Sequence, residues 1–136
     1  GVDRLYRLVR EGHYDDSRIY RVVPGWVAQF GYAGEPERQR AQSIIADDSM
    51  GPARNLRGLI SYSASYTSDM GHATNRTTEL YINLADHPQL DPLGFTPIAF
   101  TSGDSHDTTW PTIRPNHPRP RGSLFEGLRA AAFPAS

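Results

Sequence analysis

The sequence predicts a mainly β fold built from short antiparallel strands with flanking helices. One observation is the Pro24 and Gly25 pair, which separates two short runs rich in β-branched and aromatic residues and is typical of a β-hairpin. Another is the alternation of apolar and polar residues in residues 57–64 and 78–84, which has the period of a strand. Each of these strands should therefore have one apolar face and one more polar face.

Composition limits the classes of protein to which the chain can belong. Its 136 residues are enough for one domain with a sizeable core. The formal net charge of −1 gives no electrostatic footprint for nucleic acid or for an anionic membrane surface. No apolar run approaches the length of a transmembrane helix, and no signal-peptide pattern opens the sequence. The absence of cysteine excludes disulfides and thiolate catalysis and leaves the compartment open, cytoplasmic or secreted.

The first twelve residues predict a helix. Leu5, Leu8 and Val9 recur at helical spacing and form an apolar stripe, which Val2 extends backwards. Gly12 stands where a glycine commonly ends a helix.

The length of the hairpin loop decides what its two strands bring together. A two-residue loop would put Arg21 and Gln29 on opposite faces of the ribbon. A three-residue loop, residues 24–26, would put Arg21 directly across from Gln29, close enough to interact. The second case gives a guanidinium steadied by an amide, whereas the plainer interpretation is a surface hairpin with one exposed Arg and one exposed Gln.

The rest of the chain is less regular. Residues 32–55 are polar and contain several Gly and Pro residues, so they predict a long surface excursion. Residues 65–74 predict a loop, and residues 95–100 a short strand. The prolines of residues 101–122 exclude a long helix there. A capping box and helical periodicity predict a short helix over residues 123–133.

Three segments resemble the signature motifs of the cyclophilin-type peptidyl-prolyl isomerases. They are residues 14–31, residues 75–84, and residues 89–91 with residues 95–100 after them, in the order of that family. The resemblance implies an antiparallel β-barrel with flanking helices. In bacterial members two strands precede the first helix and here none does, so we expect the barrel to be incomplete at its first hairpin.

The resemblance also divides the chain. It implies that residues 1–100 form a cyclophilin-like domain. Residues 101–136 depart from the family, so we expect them to form a divergent, Pro-rich tail with a short C-terminal helix.

The implied activity is cis–trans isomerisation of X-Pro bonds in peptides and unfolded proteins, without a cofactor. Rotation about such a bond is slow because the amide is conjugated, with a barrier of about 18–20 kcal/mol. An enzyme need only bind the twisted bond better than the planar one, and a permanently charged arginine suits that task. By resemblance, Arg21 is the catalytic arginine and Gln29 orients it. The implied substrate-binding residues are Trp26, Val27, Ala64, Glu79, Tyr81, Leu90 and Phe95.

Several of these positions depart from the family pattern. Glu79 stands where the family usually has Gln, and it either pairs with Arg21 and competes with substrate or faces solvent. Ala64 takes the place of a groove Asn, so one contact to the substrate backbone should be lost. Phe95 stands near the His that forms the groove wall in other members.

These departures keep other hypotheses open. One is a catalytically weak or inactive proline-binding module, and another is a truncated product that folds poorly. The resemblance implies proline-containing peptides as partners and a cyclosporin-type ligand, and we expect a monomer rather than a dimer. Asp104, His106 and Asp107 are too irregularly placed to predict a metal site. The other histidines, His13, His72, His87 and His117, are interpreted as surface or turn residues.

Overall fold

The computed structural model describes residues 1–47, 51–69 and 71–101. In chain order its elements are α1 (Val2–Arg10), β1 (Arg21–Val23), β2 (Val27–Phe30), α2 (Pro36–Arg40), β3 (Leu59–Tyr62), β4 (Leu80–Asn83), a 3₁₀ helix (Pro88–Leu93) and β5 (Pro97–Phe100). The predicted helix over residues 123–133, the Asp104, His106 and Asp107 group, and His117 lie outside the described residues. The domain boundary at residue 100 stays a prediction.

The five strands form one antiparallel sheet in the order β1-β2-β4-β3-β5. Within the described residues the sheet is open, with β1 and β5 as its edges. The mainly β fold is therefore confirmed, and the open sheet of the described residues is consistent with the predicted incomplete barrel. No helix of the described part is long and apolar enough to cross a membrane.

One face of the sheet packs on α1 and holds the hydrophobic core. Leu5, Leu8 and Val9 are buried there, as predicted, but Val2 is 41% exposed. Val2 lies in the first helical turn at the border of the stripe, so its inclusion was wrong. The complete cluster is Leu5, Leu8, Val9, Tyr14, Phe30, Ile60, Tyr62, Leu80, Ile82 and Ala99.

The predicted glycine caps the helix, which ends at Arg10. Gly12 has a φ of 69°, and its N–H donates to the Val9 carbonyl while the N–H of His13 donates to the Leu8 carbonyl. These two bonds make a Schellman motif, which satisfies carbonyls that the helix leaves unpaired. The reversal directs the chain towards the hairpin.

The hairpin has the three-residue loop. Val23 pairs with Val27 and Arg21 pairs with Gln29. Gly25 has a φ of 68°, and the N–H of Trp26 donates to the Val23 carbonyl across the turn. The alternative with Arg21 and Gln29 on opposite faces is therefore excluded.

Gly31, which ends the hairpin motif, is required by close packing. Its φ is 119°, and a Cβ on it would lie 2.4 Å from the Thr78 carbonyl oxygen and 2.8 Å from the Glu79 Cα. Both obstacles are backbone atoms, so neither can swing away. Glycine at this position lets β2 approach the chain entering β4.

Two predictions for the loops need correction. Residues 32–55 contain the short helix α2, which the polar composition did not indicate. Gln39 of α2 donates to the Thr78 hydroxyl at 3.1 Å and ties the segment to the sheet. His13 and His87 are 1% and 3% exposed, so neither is a surface residue, although His13 does lie in the predicted kind of position, a turn.

His13 should make stability depend on pH. Its Nε2 lies 3.2 Å from the Gly31 carbonyl and donates to it. Burial, together with the charges of Arg38 and Arg4, lowers the pKa of His13 below its ordinary value of 6.5, although the Gly31 and Gln39 hydrogen bonds oppose the shift. Between the lowered and the ordinary pKa the unfolded chain binds a proton that the folded chain does not, so stability falls as pH falls.

Urea denaturation at about pH 7.5 and about pH 5 measures this effect. The wild type should lose more free energy of unfolding between the two conditions than His13→Gln does. His72→Gln, which changes an exposed histidine, should keep the full loss. Equal losses in the wild type and His13→Gln would contradict the assignment.

Candidate functional site

The second face of the sheet carries the predicted catalytic pair. The Arg21 Nη1 donates to the Gln29 Oε1 at 2.6 Å across the β1–β2 register. The Gln29 Nε2 lies 3.4 Å from the Ser63 hydroxyl, just after β3. Gln29 is thus held from both sides, and the exposed guanidinium of Arg21 is oriented by a neutral partner that leaves its charge intact.

Apolar side chains continue the site along the same face. Gln29 is opposite Tyr81 in the β2–β4 register, and Val27 is opposite Asn83. The Tyr81 ring meets Phe95 edge to face, with centroids 6.1 Å apart. Val27 and Tyr81 are only 5% and 4% exposed. The structure therefore places an apolar wall beside the arginine and its amide.

A buried asparagine fixes that wall from beneath. The Asn55 Oδ1 accepts hydrogen bonds from the Tyr81 hydroxyl at 3.0 Å and the Ser61 hydroxyl at 3.2 Å. Its Nδ2 donates to the Asp91 carboxylate at 2.9 Å and to the Phe95 carbonyl at 2.6 Å. Burial raises the pKa of Tyr81 to about 12, so its hydroxyl stays a donor. Asn55 thus sets the positions of both aromatic residues.

The aromatic residue of the turn is held by a histidine. The Trp26 ring packs on His87 with centroids 4.1 Å apart, and the His87 Nε2 donates to the Trp26 carbonyl at 2.7 Å. The N–H of Leu90 donates to the His87 carbonyl at 3.0 Å. His87 therefore connects the hairpin turn with the 3₁₀ helix that carries Leu90.

Glu79 adopts neither of its two predicted arrangements. The Tyr20 hydroxyl donates to its Oε1 at 2.6 Å. The neighbouring Glu79 carboxylate, together with burial, raises the pKa of Tyr32. Glu79 is half-buried beside Tyr20 and does not pair with Arg21. A neutral hydroxyl, that of Tyr20, holds the carboxylate.

The predicted residues thus fall into two groups. The first group consists of residues that are directly connected by side-chain contacts or by strand pairing: Arg21, Gln29, Val27, Tyr81 and Phe95. The second group flanks them: Trp26 and Leu90 share His87, Glu79 precedes β4, and Ala64 lies half-buried next to Ser63.

Sequence reasoning missed several residues that build the site. Asn55 lay in a segment interpreted as polar surface, and nothing in its neighbours marks it as buried. Tyr20 and Tyr32 carried a weak signal, since each is an aromatic residue next to a hairpin strand. His87 had no signal that distinguishes a buried histidine from an exposed one.

A family model described as cyclophilin type peptidyl-prolyl cis-trans isomerase/CLD matches residues 2–102. The chain belongs to this family. Peptidyl-prolyl cis-trans isomerase A of Dickeya dadantii is 31% identical over 91 residues, which cover 66% of this chain and 45% of that protein. Peptidyl-prolyl isomerase CWC27 of Yarrowia lipolytica is 28% identical over 86 residues, covering 62% and 24%. The chain therefore spans less than half the length of these curated relatives.

Solved structures agree on the fold. Two crystal structures of a Cryptosporidium parvum cyclophilin type isomerase superpose with TM-scores of 0.52 and 0.53, at 18% and 16% identity. The superpositions cover 70% of this chain and 60% and 59% of the other chain. The first of these structures was determined in the presence of the dipeptide Ala-Pro. The cyclophilin fold is therefore confirmed.

Proposed function

We propose that this cyclophilin-type chain is a peptidyl-prolyl cis–trans isomerase that acts on exposed X-Pro bonds of peptides and unfolded proteins. The observation that carries the proposal is the hydrogen-bonded Arg21 and Gln29 pair beside the apolar wall of Val27, Tyr81 and Phe95. Membership of the isomerase family supports it.

The chemistry requires no covalent step. As the X-Pro bond twists, conjugation is lost and the nitrogen lone pair becomes localised. A guanidinium N–H directed at that nitrogen stabilises the twisted state more than the planar one, which lowers the barrier. Arginine keeps its charge at any relevant pH, so this donor is always available.

The other residues hold the substrate in register. Val27, Tyr81 and Phe95, flanked by Trp26 and Leu90, offer an apolar pocket for the proline ring. Gln29 has its Oε1 engaged by Arg21 and its Nε2 near Ser63, so it orients the guanidinium and borders the substrate backbone. Ala64 offers no side-chain hydrogen bond at its place along the groove.

The proposed partners follow from this pocket. They are proline-containing peptides and unfolded chains, and the reaction takes no cofactor. A cyclosporin-type ligand is a further candidate because it would occupy the same apolar wall. We expect the protein to act as a monomer.

Exchange NMR on an Ala-Pro-Phe peptide tests the function. The cis and trans forms interconvert over tens to hundreds of seconds without a catalyst. With a catalytic amount of the protein, exchange cross-peaks should appear within a mixing time of about a second. Peptide binding without exchange, from a sample that unfolds cooperatively, would overturn the proposal in favour of a proline-binding module.

A further inference from the structure

Arg21 and Glu79 carry opposite charges on the site face of the sheet, and Tyr20 lies next to both. Arg21 is opposite Gln29 on β2. Gly31, two residues after Gln29, packs against the Glu79 backbone. From Arg21 to Glu79 there are two strand spacings of about 4.8 Å each across the sheet and two residues, about 6.8 Å, along it. The Arg21 and Glu79 Cα atoms are therefore ~12 Å apart. Extended Arg and Glu side chains can span that separation.

The structure nevertheless keeps these charges apart. The Arg21 guanidinium is directed to Gln29, and the Glu79 carboxylate accepts the 2.6 Å hydrogen bond of Tyr20. Tyr20 directly precedes Arg21, and its backbone N–H donates to the Gln29 carbonyl at 3.0 Å. The backbone bond that anchors Tyr20 to β2 therefore positions its hydroxyl against Glu79.

We propose that Tyr20 is a positioning residue whose hydroxyl holds Glu79 away from Arg21 and so keeps the arginine free for the substrate. Electrostatics agree with this placement, since Glu79 raises the pKa of Tyr20, with burial as the largest cause, while Arg21 lowers it. Both charges thus act on the same hydroxyl. Tyr32 packs on Tyr20, with ring centroids 5.0 Å apart, and so supports the Tyr20 ring.

The consequence for catalysis rests on the proposed isomerase function. Without the Tyr20 hydroxyl the carboxylate loses its short hydrogen bond and can turn towards Arg21. An exposed Arg21–Glu79 ion pair would compete with the substrate for the guanidinium. Because exposed ion pairs are weak, we expect kcat/KM to fall by only about two- to fivefold. Salt screens exposed charges, so the loss should vanish in about 1 M salt.

The experiment compares Tyr20→Phe, the double variant Tyr20→Phe with Glu79→Gln, and Tyr6→Phe. Tyr20 is 45% exposed, so the loss of one hydroxyl should leave the fold intact. Tyr6→Phe removes a tyrosine hydroxyl from α1, on the core side of the sheet, and serves as the matched control. Isomerase activity is measured at low and high salt, and the Arg21 Nε–H resonance is recorded for each protein.

We expect Tyr20→Phe to lose activity at low salt and to shift the Arg21 resonance, with both changes reversed in the double variant. Tyr6→Phe should behave as the wild type. An unchanged Arg21 resonance in Tyr20→Phe, or an activity loss that Glu79→Gln and salt do not relieve, would overturn the proposal. The resonance can be read even if the wild type proves inactive, so failure of the positioning role and failure of the isomerase function are distinguishable.

Discussion

Replacing Arg21 by alanine is expected to lower kcat/KM for X-Pro isomerisation by about 10²-fold, the scale on which removal of one charge-stabilising donor acts. The guanidinium is exposed, and among the residues that the structure describes its side-chain hydrogen-bond partner is Gln29. The free energy of unfolding should therefore change little. Exchange NMR on the peptide and urea denaturation of the same sample measure the two quantities separately.

Two further variants test whether the effect belongs to the Arg21 donor. Arg18→Ala removes an exposed arginine three residues earlier and should retain wild-type activity. Arg21→Lys keeps the charge but loses the planar set of donors, so it should recover only part of the rate. Equal losses in Arg18→Ala and Arg21→Ala would show that general positive charge, not this donor, supports the reaction.

Replacing Arg76 by alanine should lower the free energy of unfolding by about 2–4 kcal/mol, because it removes the buried partner of a partly exposed ion pair and leaves carbonyl groups without their donor. The Arg76 side chain is 3% exposed and pairs with the Asp47 carboxylate. It also donates to the carbonyls of Ala73 and Gly94. One guanidinium thus joins three segments that are distant in sequence.

Arg54→Ala is the matched control, since Arg54 is an exposed arginine in the loop before β3. Urea denaturation of Arg76→Ala, Arg76→Lys and Arg54→Ala gives the comparison. Lysine should be intermediate because one ammonium cannot reproduce the planar geometry of three bonds. A change below about 1 kcal/mol in Arg76→Ala, the scale of an exposed pair, would contradict the structural role.

The sequence predicted the features that local chemistry determines. The Pro-Gly turn located the hairpin, and Gly12 located the end of α1. The opposition of Arg21 and Gln29 depended on one unknown, the loop length, and the three-residue turn decided it. The strands were found because their apolar residues alternate, although their ends lay a few residues inside the predicted ranges.

The features that sequence reasoning missed depend on partners distant in the chain. Asn55 is buried because Ser61, Tyr81 and Asp91 satisfy its side chain, and those contacts exist only in the folded sheet. His87 is buried because it packs on Trp26, 61 positions away. A polar residue in a loop looks the same in sequence whether or not the fold supplies it with partners.

Glu79 shows the same limit within the site. The sequence motif identified its position, and sequence reasoning considered two arrangements for its carboxylate, pairing with Arg21 or facing solvent. Tyr20 offered a third arrangement because its place before β1 brings its hydroxyl to the carboxylate. The residue type at one motif position therefore does not determine the charge that a substrate meets.

The location of the proline site is the central claim, and a titration of isotope-labelled protein with Ala-Pro-Phe tests it most directly. We predict that the Trp26 indole N–H and the Gln29 side-chain amide shift with Ala-Pro-Phe and stay in place with Ala-Ala-Phe. The resonances of α1, on the opposite side of the sheet, should not respond. Shifts confined to α1, or equal responses to both peptides, would contradict the assignment of this face as the proline site.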